Sequence, residues 1–215
     1  MGIFDVNKTS PVFKENFMGT DIYYIDNFYL NPDFVVKFLN ENPPPMHNTP
    51  GKEQHESLNG LKFYDMRHDM IVDEFKDGYE YLSRVCGKKP WFETNRLFTN
   101  QIRFVDKNFN DYKNKYWFPH TDDGYTALVY LNKNDEQCGT NIYENVKPDI
   151  GAYLGEHIDP WRPKDNWMVL KTIKPKYNRC VIFNGNKFAH GMNITNDRYF
   201  GSEFRRNILY GFCPD

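Results

Sequence analysis

Apolar and polar positions follow two different patterns along this chain, and the change of pattern divides it into two parts. Two early segments have apolar residues at helical spacing, whereas the later segments are mostly short apolar runs separated by polar turns. The pattern therefore predicts helices in the first part and an antiparallel β structure in the second.

Both helix patterns lie in the first hundred residues. Residues 32 to 40 follow a capping asparagine and end before three consecutive prolines, which cannot continue a helix. Residues 71 to 86 carry a second apolar stripe and end before a glycine. A short strand is predicted over 21 to 29, and the polar stretch 43 to 60 is predicted to be a loop. The stripe of the first helix consists of Phe34, Val35, Phe38 and Leu39.

Strand patterns dominate the chain from residue 96 onward, as runs of β-branched, aromatic and aliphatic residues. Since no helix pattern separates them, we predict a mainly β fold with flanking helices, an antiparallel sandwich or jelly roll. We expect a single domain over 1–215, with a helix-containing part over about 1–95 and a jelly-roll core over about 96–213. The predicted strands cover residues 96–105, 125–131, 140–144, 167–173, 179–183 and 204–213.

Composition and charge narrow the class of protein further. The 215 residues are 40% hydrophobic and 17% aromatic, which is sufficient for one packed core. The formal net charge is -2, and acidic and basic residues are interspersed along the chain. The charge distribution therefore gives no electrostatic reason to expect binding to nucleic acid or to an anionic membrane. The chain has no long apolar run and no signal-peptide pattern, and its four cysteines lack the spacing of a disulfide framework. We expect a soluble cytoplasmic protein with buried free thiols.

The candidate chemistry lies where a histidine and a carboxylate precede a strand. His120 and Asp122 are two apart on an extended segment, so their side chains point to the same side and can reach one ion. His190 follows another apolar strand pattern and supplies a third ligand. Two histidines and one carboxylate form the facial triad of non-haem Fe(II) oxygenases, which leaves positions open for a chelating cosubstrate and O2.

A second histidine–carboxylate pair, His157 and Asp159, competes for this role. It lies much closer to His190 in the sequence, which leaves little chain for intervening strands. The prolines after it also cannot continue as a central strand, whereas the first pair leads directly into one. We therefore favour His120 and Asp122.

A cosubstrate of the 2-oxo acid class also needs a fixed cation for its distal carboxylate. Arg205 and Arg206 lie on the last strand pattern, and a guanidinium binds a carboxylate with two parallel hydrogen bonds. Only one of two neighbours on a strand faces inward. We favour Arg205 because Asn207 then shares its face, and Arg206 remains the alternative.

The order of these motifs resembles the Fe(II)/2-oxoglutarate-dependent oxygenases, and most closely prolyl-hydroxylase-like members, including small phage and bacterial ones. The resemblance covers about residues 117–212. It implies a double-stranded β-helix in which His120, Asp122 and His190 hold Fe(II), and Arg205, with Asn207, binds the C5 carboxylate of 2-oxoglutarate. The implied reaction uses O2, converts 2-oxoglutarate to succinate and CO2, and hydroxylates a substrate. A phage-encoded member would act in a host cytoplasm.

The chain departs from that family's pattern at the residues expected to bind the C5 carboxylate of 2-oxoglutarate. Many prolyl hydroxylases use lysine there, and Asn207 stands where serine or threonine is usual. The presence of Asp122 counts against the related halogenases, in which a small residue vacates this position.

Two other classes compete with an oxygenase. A metal-dependent cupin-type isomerase or hydrolase would typically use more histidines and needs no arginine on the final strand. A non-catalytic jelly-roll binding or structural module would need no metal ligands at all. Nucleic acid is disfavoured as a substrate because the chain is not basic. A peptide side chain and a small metabolite both remain open.

Two long polar loops, 43–60 and 145–166, are predicted to form the rim of the site. The aromatic residues of this region are Tyr153, Trp161 and those of residues 112–117. They either line the entrance or pack against one another.

Overall fold

The computed structural model describes most of the predicted elements of the chain. The described residues are 2–41, 64–66, 69–89, 97–99, 112–133, 139–148, 161–195 and 207–212. None of the helices within these ranges is both long and apolar enough to cross a lipid bilayer.

The described part of the chain is mainly β, with two α-helices, and all its paired strands run antiparallel. This confirms the predicted class of a mainly β fold with helices. The helices are α1 (Pro32–Glu41) and α2 (Asp69–Cys86). The strands are β1 (Val12–Phe17), β2 (Thr20–Ile25), β3 (Tyr64–Met66), β4 (Leu97–Thr99), β5 (Lys115–Trp117), β6 (Tyr125–Tyr130), β7 (Thr140–Asn145), β8 (Trp161–Pro163), β9 (Trp167–Ile173), β10 (Arg179–Asn184), β11 (Ala189–Met192) and β12 (Asn207–Phe212).

The strands form three sheets. A seven-stranded sheet has the order β1-β2-β10-β6-β12-β4-β3, a three-stranded sheet has the order β11-β7-β9, and β5 pairs with β8. The last pair approaches the three-stranded sheet because the backbone of His120, just after β5, is bonded to that of His190 in β11.

The large sheet has different neighbours on its two faces. One face packs on the helices through a cluster that includes Val35, Leu82, Val129 and Ile182, all with 0% exposure. The other face carries Leu128, Val181 and Phe183, which pack against Ile142 of the small sheet. Successive side chains of a strand point to opposite faces. The apolar run of β6, like that of β10, therefore contributes side chains both to the cluster beneath the helices and to the cluster against the small sheet.

The helix predictions are confirmed, with small differences. Helix α1 begins at Pro32 as expected, and α2 begins two residues before the predicted start. Val35 and Leu39 are buried, but Phe34, which was predicted on the same stripe, is 61% exposed. Phe34 and Val35 are consecutive and point about 100° apart around the helix, so they cannot both face the sheet directly.

The strand predictions from residue 125 onward are confirmed for β6, β7, β9 and β10, and β9 has the predicted bounds. Within the predicted strand over 96–105, only β4 is described. Strand β12 begins at Asn207, and residues 204–206 lie outside the described ranges. The predicted strand over 21–29 ends earlier, at Ile25.

The N-terminal part was predicted to be helical with one strand, but it also contributes β1, an edge strand. Residues Met18 and Gly19 both have positive φ, 49° and 78°, as a two-residue hairpin turn requires. The resulting hairpin extends the large sheet beside β10. Thus the N-terminal part adds strands to the sheet that holds the predicted core.

The stretch 145–166 was predicted to be irregular, and this was wrong for its end. Trp161–Pro163 forms β8, opposite β5. Trp161 is 5% exposed and packs edge-on against Trp117, with ring centroids 5.1 Å apart. Trp117 and Trp161 therefore pack against each other, which was one of the two alternatives given for these aromatic residues. Tyr153 and the loop 43–60 lie outside the described residues.

Two of the four cysteines belong to the described part of the chain. Cys180 is buried and Cys86 is half-buried, and both are free thiols. Burial raises the pKa of each thiol. Both thiols are therefore protonated at neutral pH, and Cys180 is buried as predicted, whereas Cys86 is only half-buried.

Candidate metal centre

The two histidines are brought together by their own main chains. The amide of His120 donates to the carbonyl of His190 at 3.0 Å, and the amide of His190 donates to the carbonyl of His120 at 2.7 Å. This reciprocal pair is one rung of an antiparallel ladder between segments far apart in the sequence. The side chains of a directly opposed pair share a face, and the two imidazole centroids lie 4.6 Å apart.

Asp122 is held by the turn between β10 and β11. Its amide donates to the carbonyl of Gly185 at 3.0 Å, and the amide of Asn186 donates to the carbonyl of Gly124 at 2.9 Å. These bonds join the segments beside β6 and β10 just beyond the last paired residues of that ladder, Tyr125 and Asn184, and they do not keep its register. The backbone of Asp122 is therefore fixed at the end of the large sheet, and the backbones of the histidines are fixed beside the small one.

The three predicted ligands meet at one point. One potential ligand atom from each of His120, Asp122 and His190 lies within 4.8 Å of the other two. His190 Nε2 is 3.2 Å from Asp122 Oδ2, and His120 Nε2 is 3.7 Å from Asp122 Oδ1. Two ligands of one ion at right angles are about 3 Å apart when each bond is about 2.1 Å. The spacing therefore fits a shared metal ion.

Each histidine ring is oriented by a second contact. Nδ1 of His120 is 2.8 Å from the carbonyl of Phe118, and Nδ1 of His190 is 3.2 Å from the carbonyl of Phe188. A carbonyl only accepts hydrogen bonds, so both contacts favour the tautomer with the proton on Nδ1. The Nε2 atoms then carry lone pairs directed at the carboxylate. Such a carbonyl contact on the outer nitrogen is the usual support of a metal-bound histidine.

The Asp122 carboxylate is ionised despite its surroundings. Burial works against the charged form, but the hydrogen bond and charge of His190 and the charge of His120, which exist when the imidazoles are protonated at Nε2, together with the hydroxyl of Thr126, outweigh it. The pKa of Asp122 consequently lies well below its usual range. When both rings are neutral with the proton on Nδ1, the charged carboxylate and the two imidazole lone pairs repel one another unless a cation lies between them. The donor set therefore fits a divalent metal.

The surroundings of the three ligands are aromatic on two sides. The ring of Phe118 stacks on His120 with centroids 4.9 Å apart, and Phe183 meets His190 edge-on at 4.9 Å. His190 is 7% exposed in its side chain, whereas His120 and Asp122 keep 35% and 37%. The centre thus lies at a mouth between the sheets, with one side open to ligands from solvent.

Two residues at the centre were not found from the sequence. Thr126 donates a 2.5 Å hydrogen bond to Asp122 Oδ2, and Gly185 lies against both residues. Thr126 is the second residue of β6, and its parity with Leu128 and Tyr130 is the signal that places it on the inner face. Nothing in the sequence separates Gly185 from an ordinary turn glycine.

The remaining predicted site residues are described only in part. Arg205, Arg206, His157 and Asp159 lie outside the described residues. The backbone of Asn207 begins β12, opposite Tyr130 of β6.

A scan of protein-family models and a search of curated protein sequences found no match to the chain.

Proposed function

We propose that the protein is an Fe(II)- and 2-oxoglutarate-dependent oxygenase that hydroxylates a peptide side chain or a small metabolite in a cytoplasm. The observation that carries this proposal is the convergence of two imidazole Nε2 atoms and one carboxylate. Two nitrogens and one oxygen on one face of an ion are the ligands of non-haem Fe(II) oxygenases. Among the described residues this group has three members and no thiolate, so it differs from a closed structural zinc site.

The order of the strands supports the double-stranded β-helix that such enzymes use. From β9 onward, β10 lies in the large sheet, β11 in the small sheet and β12 again in the large sheet. The segment of His120 borders the small sheet, β6 lies in the large one and β7 in the small one. Strands that alternate between two antiparallel sheets are typical of a jelly roll.

The residues of the chain have separate roles in this proposal. His120, Asp122 and His190 hold the ion from one side, and Asp122 neutralises part of its charge. Fe(II), when bound, supplies O2 activation coupled to the decarboxylation of 2-oxoglutarate to succinate. The ring of Phe118 covers one side of His120, and the ring of Phe183 covers one side of His190.

The carboxylate anchor is proposed to be Arg205, with Asn207 beside it and Arg206 as the alternative. Strand β12, which follows these arginines in the sequence, lies between β6 and β4 inside the large sheet. Its first residue, Asn207, lies opposite Tyr130, at the end of β6 that is farther from Asp122. A guanidinium there would bind the distal carboxylate of 2-oxoglutarate with two hydrogen bonds.

The test is an anaerobic titration of the apoprotein with Fe(II) and then with 2-oxoglutarate. We expect one Fe(II) per chain, followed by the weak visible charge-transfer band of the 2-oxoglutarate chelate. Arg205→Ala should bind Fe(II) but lose the band at the same 2-oxoglutarate concentration, and Arg206→Ala serves as its matched control. His190→Ala should bind neither.

Other outcomes would support the competing classes. Fe(II) binding without the band would favour a cupin-type isomerase or hydrolase. Absence of metal binding in the folded wild-type protein would favour a non-catalytic jelly-roll module. Loss of the band in Arg206→Ala instead of Arg205→Ala would exchange the roles of the two arginines.

A further inference from the structure

The Asp122 carboxylate has a side-chain donor that is not a metal ligand. Thr126 Oγ1 lies 2.5 Å from Asp122 Oδ2, a distance typical of a hydroxyl bonded to a charged carboxylate. Thr126 is 3% exposed, so water does not compete for this bond. Asp122 itself keeps 37% of its side chain exposed and would otherwise be able to rotate toward solvent.

The second side-chain contact of Asp122 Oδ2 cannot replace this donor when a metal is bound. His190 Nε2 is 3.2 Å away, but a histidine that ligates through Nε2 has no proton there to donate. The ring's proton is on Nδ1, toward the carbonyl of Phe188. Thr126 therefore remains the described side chain that holds the carboxylate in the loaded state.

Gly185 closes the other side of this pair. A Cβ at position 185 would lie 2.7 Å from Thr126 Oγ1, 3.0 Å from Asp122 Cβ and 3.2 Å from the carbonyl of Gly124. The first of these distances is shorter than a non-bonded contact permits, so a side chain there would displace the hydroxyl or the aspartate. The carbonyl of Gly185 also accepts the amide of Asp122.

We infer that Thr126 is a positioning residue for the metal centre. The lack of a side chain at Gly185 leaves the room in which the Thr126 hydroxyl stays bonded to Asp122. This inference rests on the metal site of the proposed function. Thr126 fixes the torsion of the carboxylate, so that the ion meets one orientation of Asp122 instead of several. Removing an outer contact of this kind typically weakens metal binding by about 10- to 100-fold.

The test is a titration of the metal-free protein with Co(II), which binds the same kinds of ligand as Fe(II) and has visible absorption bands. Thr126→Val removes the hydroxyl at nearly constant volume, and we expect the Kd for Co(II) to rise about 10- to 100-fold with altered band intensity. Thr126→Ser keeps the hydroxyl and should restore both affinity and spectrum. Gly185→Ala leaves the hydroxyl in the sequence but displaces it, and it should reproduce the defect of Thr126→Val.

Thr140→Val is the matched control. Thr140 is also buried, at 4% exposure, and its hydroxyl is 2.8 Å from that of Tyr130, away from the three ligands. This variant should lose comparable stability in the presence of chelator but keep the wild-type Kd for Co(II). If Thr126→Val fails to fold, the contrast between Thr126→Ser and Gly185→Ala carries the same test.

The outcomes separate this inference from the proposal on which it rests. Wild-type affinity in both Thr126→Val and Gly185→Ala would overturn the positioning role and leave the metal centre intact. An equal loss of Co(II) affinity in Thr140→Val would show that general destabilisation causes the loss, and it would also overturn the positioning role of Thr126. A wild-type protein that takes up no Co(II) would overturn the metal centre itself.

Discussion

At the scale of single residues, two of the three proposed ligands could be predicted because their signal is local, and His190 could be added because it follows a second strand pattern. Residues two apart on an extended segment share a face whatever the fold, so His120 and Asp122 were paired from the sequence. The residues that orient them could not be found in this way. The carbonyls of Phe118 and Phe188, the hydroxyl of Thr126 and the space at Gly185 act through tertiary proximity.

Asn178 is a residue whose contribution to stability could not be predicted from the sequence. The sequence does not reveal that its buried side chain forms two hydrogen bonds with the backbone of Tyr29, one accepted at 2.8 Å and one donated at 2.9 Å. Its φ of 59° is in the left-handed region, which asparagine tolerates better than most residues. The side chain thus ties the turn before β10 to the chain before α1.

We predict that Asn178→Ala lowers the free energy of unfolding by about 2 to 4 kcal/mol, because two buried backbone groups lose their partner. Urea unfolding followed by circular dichroism measures this change. Asn27→Ala is the matched control, since Asn27 has a similar φ of 52° but is exposed. Equal losses in the two variants would assign the effect to backbone strain and contradict the role of the hydrogen bonds.

At the scale of elements, the long apolar strands were predictable and the short ones were not. Strands β6, β9 and β10 are short runs rich in β-branched, aromatic and aliphatic residues and bounded by polar turns, a pattern typical of strands. Strand β1 has no buried residue, β8 has three residues that include Pro163, and β11 contains a glycine. These three depend on a partner strand, and sequence patterns do not reveal partners.

The approach of β5 to β11 is one such pairing, and Gly191 permits it. A Cβ at Gly191 would lie 2.4 Å from the carbonyl of Trp117 and 3.0 Å from that of Phe118. Both are backbone atoms of the segment that leads into His120. The distance between these two segments therefore sets the distance between the two histidines.

We predict that Gly191→Ala moves the segment of His120 away from β11 and weakens Co(II) binding by about 10-fold or more, as a displaced support does. Isothermal titration calorimetry gives the Kd. Gly211→Ala is the control, because a Cβ at this strand glycine would meet no atom within 4 Å. Unchanged affinity in Gly191→Ala would mean that the segment shifts without moving His120.

The junction between β2 and β10 carries an ion pair with a predictable pH dependence. Arg179 donates from Nε and Nη2 to the two oxygens of Asp26, at 2.5 and 3.1 Å, and Lys176 donates to Oδ2 at 2.6 Å. The hydrogen bond from Arg179, which outweighs the opposing effect of burial, is the main reason that the pKa of Asp26 is lowered. A carboxylate with a lowered folded-state pKa contributes stability above its unfolded pKa and loses it as the pH falls through the folded value.

We predict that Asp26→Asn lowers the free energy of unfolding by about 1 to 3 kcal/mol at neutral pH. The difference from wild type should shrink below about pH 4, where the unfolded carboxyl becomes protonated, and vanish once the folded one does. Urea unfolding at a series of pH values measures this. A difference that stays constant down to strongly acidic pH would show that the charge of Asp26 is not its cause.

At the scale of the whole molecule, the mainly β class could be predicted because apolar runs without intervening helices require packed antiparallel sheets. The layering could not be predicted in detail. Which face of β6 meets the helices and which meets the small sheet follows from a register that pairs Val181 with Leu128. Such a register depends on both strands at once.

The three candidate ligands lie on segments that border both sheets, so we expect a metal bound between them to stabilise the entire fold. A ligand that binds only the folded state adds about 2.7 kcal/mol when its concentration is 100 times its Kd. We predict that Co(II) at this excess raises the melting temperature of the wild-type protein and that a chelator reverses the rise. His190→Ala should melt at one temperature with or without Co(II), and a rise in this variant would place the ion elsewhere.

The reciprocal amide bonds between His120 and His190 have a consequence for the life of the protein in a cell. They are made by the main chain and do not depend on an ion, so the two histidines are already close together before a metal binds. Little ordering entropy is then lost when a metal enters, and the metal can leave without taking the fold with it. Under the proposed function, we expect metal occupancy to follow metal supply, because the folded apoprotein persists and can be loaded again.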